Sequence, residues 1–168
     1  MENEVEEAKE LINCIKFTIP GEPFGKLNLR PMFMSGHASV YSPKENNFYM
    51  DRVIGILNEQ LQKSTELIFS RDTPVWITIV AYYKIPDGHY KFYKRENAYR
   101  YDKEGQLMLE EKIKPTKKPD LDNISKVICD GISHHGGVWY DDSQVVCELL
   151  MKFYSDNPRV EVTIERGK

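Results

Sequence analysis

The run Val75-Trp76-Ile77-Thr78-Ile79-Val80-Ala81-Tyr82-Tyr83 constrains the fold more than any other stretch of the chain. β-Branched and aromatic residues follow one another with almost no polar interruption, which suits a strand covered on both faces. Such a strand belongs in the interior of a sheet, so the remaining sequence has to supply its neighbours. Cys14 to Pro20 alternates apolar and polar residues and stops at Pro20-Gly21, predicting a half-buried strand and a turn. Residues 144–154 also alternate, with Val145, Cys147, Leu149, Met151 and Phe153 on one face and Gln144, Glu148 and Lys152 on the other. Val160, Val162 and Ile164 repeat that pattern beyond Asp156-Asn157-Pro158, which predicts a hairpin. A second, irregular hairpin is expected from Leu29 to Tyr41 around Ser35-Gly36-His37, where Pro31 limits the ladder.

Two stretches carry helical spacing instead. Met50, Val53, Ile54, Leu57 and Leu61 predict a helix over roughly Lys44 to Ser64. Leu121, Ile124, Val127, Ile128 and Ile132 predict another from about Asp122 to Ser133, ended by Gly136-Gly137. Between them, residues 86–118 are polar, basic and tyrosine-rich without periodicity, the composition of a functional loop or a partly disordered segment. The order of elements predicts a single α+β domain, a mixed β-sheet with two main helices packed on it and a long basic loop insertion. A length of 168 residues suits one core and leaves little room for a second.

No apolar run approaches the roughly 18 residues of a membrane span. Residues 1–10 are acidic where a secretory signal is basic, so an acidic N-terminal extension precedes a folded unit from 11 to 168, and a cytoplasmic protein without membrane contact is expected. Cys14, Cys129 and Cys147 are odd in number and sit beside Ile or Val, which reads as reduced core thiols.

A net charge of −3 looks wrong for a nucleic-acid binder until it is divided along the chain. Residues 84–118 carry ten bases and six acids, whereas residues 119–168 carry five bases and nine acids. A basic segment thus runs straight into an acidic one. At the junction lies Lys117-Lys118-Pro119-Asp120-Leu121-Asp122-Asn123, with Lys126 one turn later. If Asp120 and Leu121 end an extended segment, Asp120 and Asp122 point the same way and Leu121 turns inward, while Lys126 shares the face of Asp122. A second acidic pair, Asp141-Asp142, opens the strand at Gln144. Clustered carboxylates repel one another unless a hard cation neutralises them, which predicts Mg²⁺ or Mn²⁺ and phosphate chemistry. The absence of His or Cys at ligand spacing argues against zinc.

Plainer roles exist for the same residues. Asp122 or Asn123 suits a helix N-cap, Asp120 a pre-helix turn, and Asp141-Asp142 a turn. Lys126 with Asp122 and Asp130 suits an ion-pair row, the reading favoured for Asp130, and His134-His135 suits a polar helix end. In the basic segment Tyr90, Phe92, Tyr93, Tyr99 and Tyr101 interleave with Lys91, Lys94, Arg95, Arg100 and Lys103, a mixture that contacts phosphates and stacks on unpaired bases, or else a solvated loop anchored by tyrosines. Lys112, Lys114, Lys117 and Lys118 lead into the acidic pair and are placed to hold a nucleic-acid backbone, with Arg100, Lys26 and Arg30 as further contacts.

In residues and in spacing, Lys118 to Asn123, Lys126, Asp130-Gly131 and Val138-Trp139-Tyr140-Asp141-Asp142-Ser143-Gln144-Val145-Val146 resemble the RusA-type Holliday junction resolvases. Weaker echoes are Pro20-Gly21-Glu22-Pro23, the Lys26 to Arg30 region, Tyr41-Ser42-Pro43 and Val160 to Ile164. The resemblance implies a small homodimeric, Mg²⁺-dependent endodeoxyribonuclease, with Mn²⁺ substituting and no organic cofactor. Such enzymes cut branched DNA at four-way junctions by paired nicks in recombination and repair, and phages or prophages often encode them. It also implies that the essential aspartates are Asp120, Asp122 and Asp142 and the functional lysine Lys126, with Asp141 in reserve as a ligand. The chain departs from shorter members in its acidic first ten residues and its 87–116 insertion. The competing expectation is a non-catalytic module that binds junctions or single-stranded DNA, in which the acids serve as caps and turns.

Overall fold

The computed structural model describes residues 14–34, 36–61 and 67–167, so the acidic extension and the end of the first expected helix lie outside the described residues. Among the described residues no helix is long and apolar enough to cross a membrane. A four-stranded mixed sheet forms from β1 (Cys14–Pro20), β4 (Val75–Lys84), β7 (Val145–Ser155) and β8 (Arg159–Arg166) in the order β1-β8-β4-β7. The apolar run of β4 is interior, antiparallel to β8 and parallel to β7, as its composition requires. Helices α1 (Lys44–Gln60) and α3 (Leu121–His135) cover one face. There Ile15, Phe17 and Ile19 of β1, Ile77 and Ile79 of β4 and the three alternating apolar residues of β8 meet Val53 and Leu57 of α1 and Ile124, Ile128 and Ile132 of α3. Each such side chain contributes on the order of 2 kcal/mol by leaving water. The fold is therefore α+β, with α3 ending at Gly136, whose φ of 73° is a left-handed conformation that favours glycine.

The alternation of β7 is present, but its apolar face is not the one the helices cover. Register with β4 aligns Ile77 with Glu148, Ile79 with Leu150, Ala81 with Lys152 and Tyr83 with Tyr154 on the helix side. Cys147, Leu149, Met151 and Phe153 share the opposite face with Trp76, Thr78, Val80 and Tyr82, and Leu149 remains 52% exposed. β7 is the edge strand, so only its neighbour's register decides which face turns inward. The same geometry corrects the reading of the cysteines: all three are free, but only Cys129 is buried, while Cys14 and Cys147 are exposed on the sheet's outer strands.

The hairpin of β2 (Arg30–Met34) and β3 (His37–Tyr41) forms as expected, with Pro31 opposite Val40. The insertion, by contrast, is more ordered than its composition suggested. It holds a 3₁₀ turn (Asp87–His89), a hairpin of β5 (Tyr90–Tyr93) and β6 (Ala98–Tyr101), and helix α2 (Lys103–Leu109). Beyond α2, the Lys114 ammonium lies 3.7 Å from the Phe153 ring on the sheet's helix-free face. Asp102 ties the insertion together, capping α2 through Gly105 N–H (3.0 Å), pairing with Lys91 (2.8 Å) and bonding His89 Nδ1 (3.1 Å). The Lys91 hydrogen bond, then that of Gly105, holds its carboxyl well below the usual carboxylate range. A carboxyl depressed in the folded state stabilises above its unfolded pKa of about 3.9 and loses that contribution as pH falls through the folded value. Protection of the Gly105 amide from hydrogen exchange is therefore expected to be full at neutral pH and to decline below about pH 4. In Asp102→Asn that protection should already be reduced at pH 7; equal protection in both proteins would remove Asp102 from this role.

Candidate active site

The start of α3 is held from three sides. Pro119 O accepts Lys152 Nζ at 2.5 Å and Tyr83 Oη at 3.3 Å, and Lys117 O accepts the same Lys152 ammonium at 3.0 Å. Burial, with the charges of Glu22 and Asp120 adding, pushes the Tyr83 phenol up to about 12, so it is a donor across the neutral range. From the third side comes the segment Pro23 to Asn28. Gly25 packs so closely on Pro119 that a Cβ there would lie 2.4 Å from the proline Cβ, which only glycine avoids. Lys26 N donates to Asn123 O at 2.8 Å, and buried Asn46 of α1 secures the segment through both the N–H and the C=O of Leu27 (2.8 and 2.9 Å). Between this segment and Lys118, Pro119, Asp120 and Asn123 lies a cleft of ≈ 400 Å³.

Asp120 occupies the N-cap position with extended backbone (φ −73°, ψ 150°), yet its side chain makes no capping hydrogen bond and remains exposed. Asp122 is exposed beside it and accepts Lys126 Nζ at 3.0 Å, a contact that lowers its pKa and keeps it ionised. Spacing along one helix explains this pair. Leu121 between the two acids is half-buried.

The second acidic pair is carried by buried Val138 and Trp139, the indole Nε1 donating to Ser133 Oγ of α3 at 2.9 Å. Here the two aspartates diverge. Asp141 closes a capping box with Gln144, accepting Ser143 N–H at 2.9 Å; hydrogen bonding to the Ser143 side chain, then to its N–H, lowers the Asp141 pKa. Buried Gln144 also donates to Ser70 O (2.8 Å) and Thr73 O (3.0 Å), anchoring the turn in the fold. Asp142 is exposed; its backbone carbonyl accepts Val145 N–H, but its carboxylate has no hydrogen bond or ion pair among the described residues.

Glu148, on the helix side of β7, accepts Ser125 Oγ of α3 at 2.9 Å. Burial pushes the Cys129 thiol up to about 12, and the charges of Glu148, Asp142 and Asp130 add to that shift. Among the described residues no group of three His, Cys, Asp or Glu side chains is placed to hold a metal ion. The available donors are nevertheless carboxylate oxygens throughout, a set that fits a hard divalent cation.

The basic residues are dispersed. Lys26 pairs with Asp130, Lys112 with Glu110 (2.7 Å), Lys114 with Glu111 (3.5 Å) and Arg100 with Glu96 (2.9 Å). Exposed pairs of this kind are weak and exchange readily for other anions. Lys117, Lys118 and Arg30 are exposed without an ion pair among the described residues. Glu148, Lys152, Tyr83 and Asn46 escaped the sequence reading, because their importance lies in contacts distant along the chain. For Glu148 and Lys152 the one sequence signal is the polar phase of β7, which names the face they share and not the contacts they make.

The model of the family "Endodeoxyribonuclease RusA" matches residues 20–165. The chain is also similar to "Uncharacterized protein YqaN" of Bacillus subtilis (strain 168), 31% identical over 153 residues that cover 91% of this chain and 96% of that protein. Because the family match runs from the end of β1 into β8 and takes in both acidic pairs, Lys126 and the residues that hold them, the chain belongs to the RusA endodeoxyribonuclease family.

Proposed function

We propose that this protein is a divalent-metal-dependent endodeoxyribonuclease that resolves four-way DNA junctions by paired nicks in recombination and repair. The observation that carries the reading is Asp120, an N-cap aspartate whose carboxylate is left out of the cap and stands at a cleft bordered by Lys118. Such a carboxylate does no evident structural work where a capping bond contributes about 1 kcal/mol. Asp120, Asp122 and Asp142 are the residues that would hold Mg²⁺ or Mn²⁺, with Asp141 in reserve. When bound, such an ion activates water and stabilises charge on a scissile phosphate. Lys126, paired with Asp122, would offset charge as it develops on that phosphate. Lys117 and Lys118 hold the DNA backbone at the cleft, and Lys152 and Tyr83 fix the segment that presents Asp120. A four-way junction has two-fold symmetry and needs two cuts, which a homodimer with one site per subunit supplies. Apolar side chains exposed on β2 and β3, Phe33 at 80% and Val40 at 61%, offer surface for that pairing.

Junction, fork and linear duplex, incubated side by side, test the reading. Paired nicks in the junction are expected with Mg²⁺ and Mn²⁺, binding with little cutting in Ca²⁺, which coordinates oxygen less rigidly, and no cutting in EDTA. Turnover in EDTA, or a duplex cut as fast as the junction, would reject it. Binding without cleavage in every metal would leave a non-catalytic junction-binding module.

A further inference from the structure

The β5–β6 hairpin is a built feature that the proposed cleavage chemistry leaves unused. Its register sets Tyr90 opposite Tyr101 and Phe92 opposite Tyr99, so four rings share one face, while Lys91 and Arg100 share the other. The rings touch in series, with Tyr99 5.7 Å from Tyr90 and 5.0 Å from Phe92 between centroids, and Tyr90 5.1 Å from Tyr101. Tyr90, Phe92 and Tyr99 nonetheless stay 51%, 45% and 63% exposed. An isolated two-stranded ribbon is marginal in water, and this one is stabilised at its root by Asp102, which bonds Lys91, His89 and Gly105. The aromatic face is thus presented on a supported element.

Charge identifies what would cover that face. Residues 90–101 contain four bases and one acid, and that acid, Glu96, is engaged by Arg100. Lys94 and Arg95 stand exposed in the turn between the strands, without an ion pair among the described residues. Exposed rings interleaved with cations match a single strand of nucleic acid, whose bases stack on the rings while its phosphates meet the cations. The hairpin also springs from the end of the sheet where Asp120 lies. Ile85 N donates to Ser155 O at the end of β7, and Tyr83, two residues earlier, reaches Pro119.

We propose that the Tyr90–Phe92–Tyr99 face binds unpaired DNA bases by stacking, and that the basic residues of the hairpin hold the phosphates of the same strand. The inference rests on the nuclease reading only for its biological substrate, the unstacked bases at the branch of a junction. Every base has a stacking face, so the hairpin selects unpaired structure and not sequence.

Fluorescence anisotropy in EDTA, with labelled oligothymidylate and a duplex of equal length as probes, tests the proposal on the full-length protein. Tyr99→Ala is expected to weaken oligothymidylate binding about tenfold and to leave duplex binding unchanged. Tyr99→Trp keeps a stacking ring and is expected to bind oligothymidylate at least as tightly as wild type, which separates ring loss from misfolding. Unchanged oligothymidylate affinity in Tyr99→Ala overturns the proposal, as does equal weakening on both probes. A shift of the ring variant to a smaller species in sedimentation, with DNA binding intact, overturns it in favour of self-association. Junction cleavage in Mg²⁺ is read in parallel. Wild-type cutting with ring-independent binding removes the hairpin role alone; ring-dependent binding without cutting removes the nuclease reading alone.

Discussion

Asp120→Asn, Asp122→Asn and Asp142→Asn are each expected to reduce junction cleavage by a factor on the order of 10³ or more, while junction binding stays at or above the wild-type level. The reason is electrostatic. Charge stabilisation by a bound ion contributes several kcal/mol, and each 1.4 kcal/mol or so is tenfold in rate. All three carboxylates are exposed, so the amides disturb no core packing, and removing a negative charge beside phosphates lessens repulsion. Asp141→Asn is the informative control. Its side chain caps the turn that carries Asp142, and an amide oxygen still accepts the Ser143 N–H, so cleavage is expected to survive with little loss of stability. Single-turnover cleavage and an electrophoretic binding assay on the same preparations decide the matter. A mutant set that fails to bind, or cuts normally, removes these residues from the chemistry; dependence on Asp141 in place of Asp142 exchanges their roles.

Trp139→Ala is expected to destabilise the protein by about 3 to 5 kcal/mol, a large part of the roughly 5 to 15 kcal/mol that holds a domain folded. Trp139 is 1% exposed, and its truncation both opens a cavity beside α3 and strands the Ser133 hydroxyl. Trp139→Phe, which keeps most of the apolar volume and loses the hydrogen bond, should cost only about 1 to 2 kcal/mol. Urea denaturation followed by far-UV circular dichroism gives both values, and a change below about 1 kcal/mol in the alanine variant would show that the pocket collapses without it. Asp142 lies three residues beyond Trp139, so cleavage by the alanine variant should fall as the turn loosens, even at temperatures where the protein remains folded.

Residues 118–126 were legible from sequence because their geometry is local. An extended Pro119-Asp120 entering a helix, with Lys126 one turn after Asp122, depends on backbone periodicity alone, and the observed Asp122–Lys126 contact follows from it. The hairpin in the insertion was less legible, although its contacts are also local. Tyr90-Lys91-Phe92 and Tyr99-Arg100-Tyr101 do alternate with the period of a strand, but a four-residue strand paired only with its own partner leaves a signal that composition overwhelms.

Sequence by itself determined the interior strand, the apolar stripe of α3, the acidic pair at its start and the family, since each rests on neighbours within a few residues or on spacing along the chain. Only the tertiary structure decided which face of β7 turns toward the helices, because an edge strand takes its orientation from register with β4. That register places Glu148 against Ser125 and Lys152 under Pro119. Tertiary contacts likewise decided that Asp130 pairs with Lys26 and not with Lys126, and that the turn carrying Asp141 and Asp142 is anchored through Gln144 to Ser70 and Thr73. The partners in these contacts stand between 23 and 104 residues apart, and no local periodicity relates side chains that meet only once the sheet has closed.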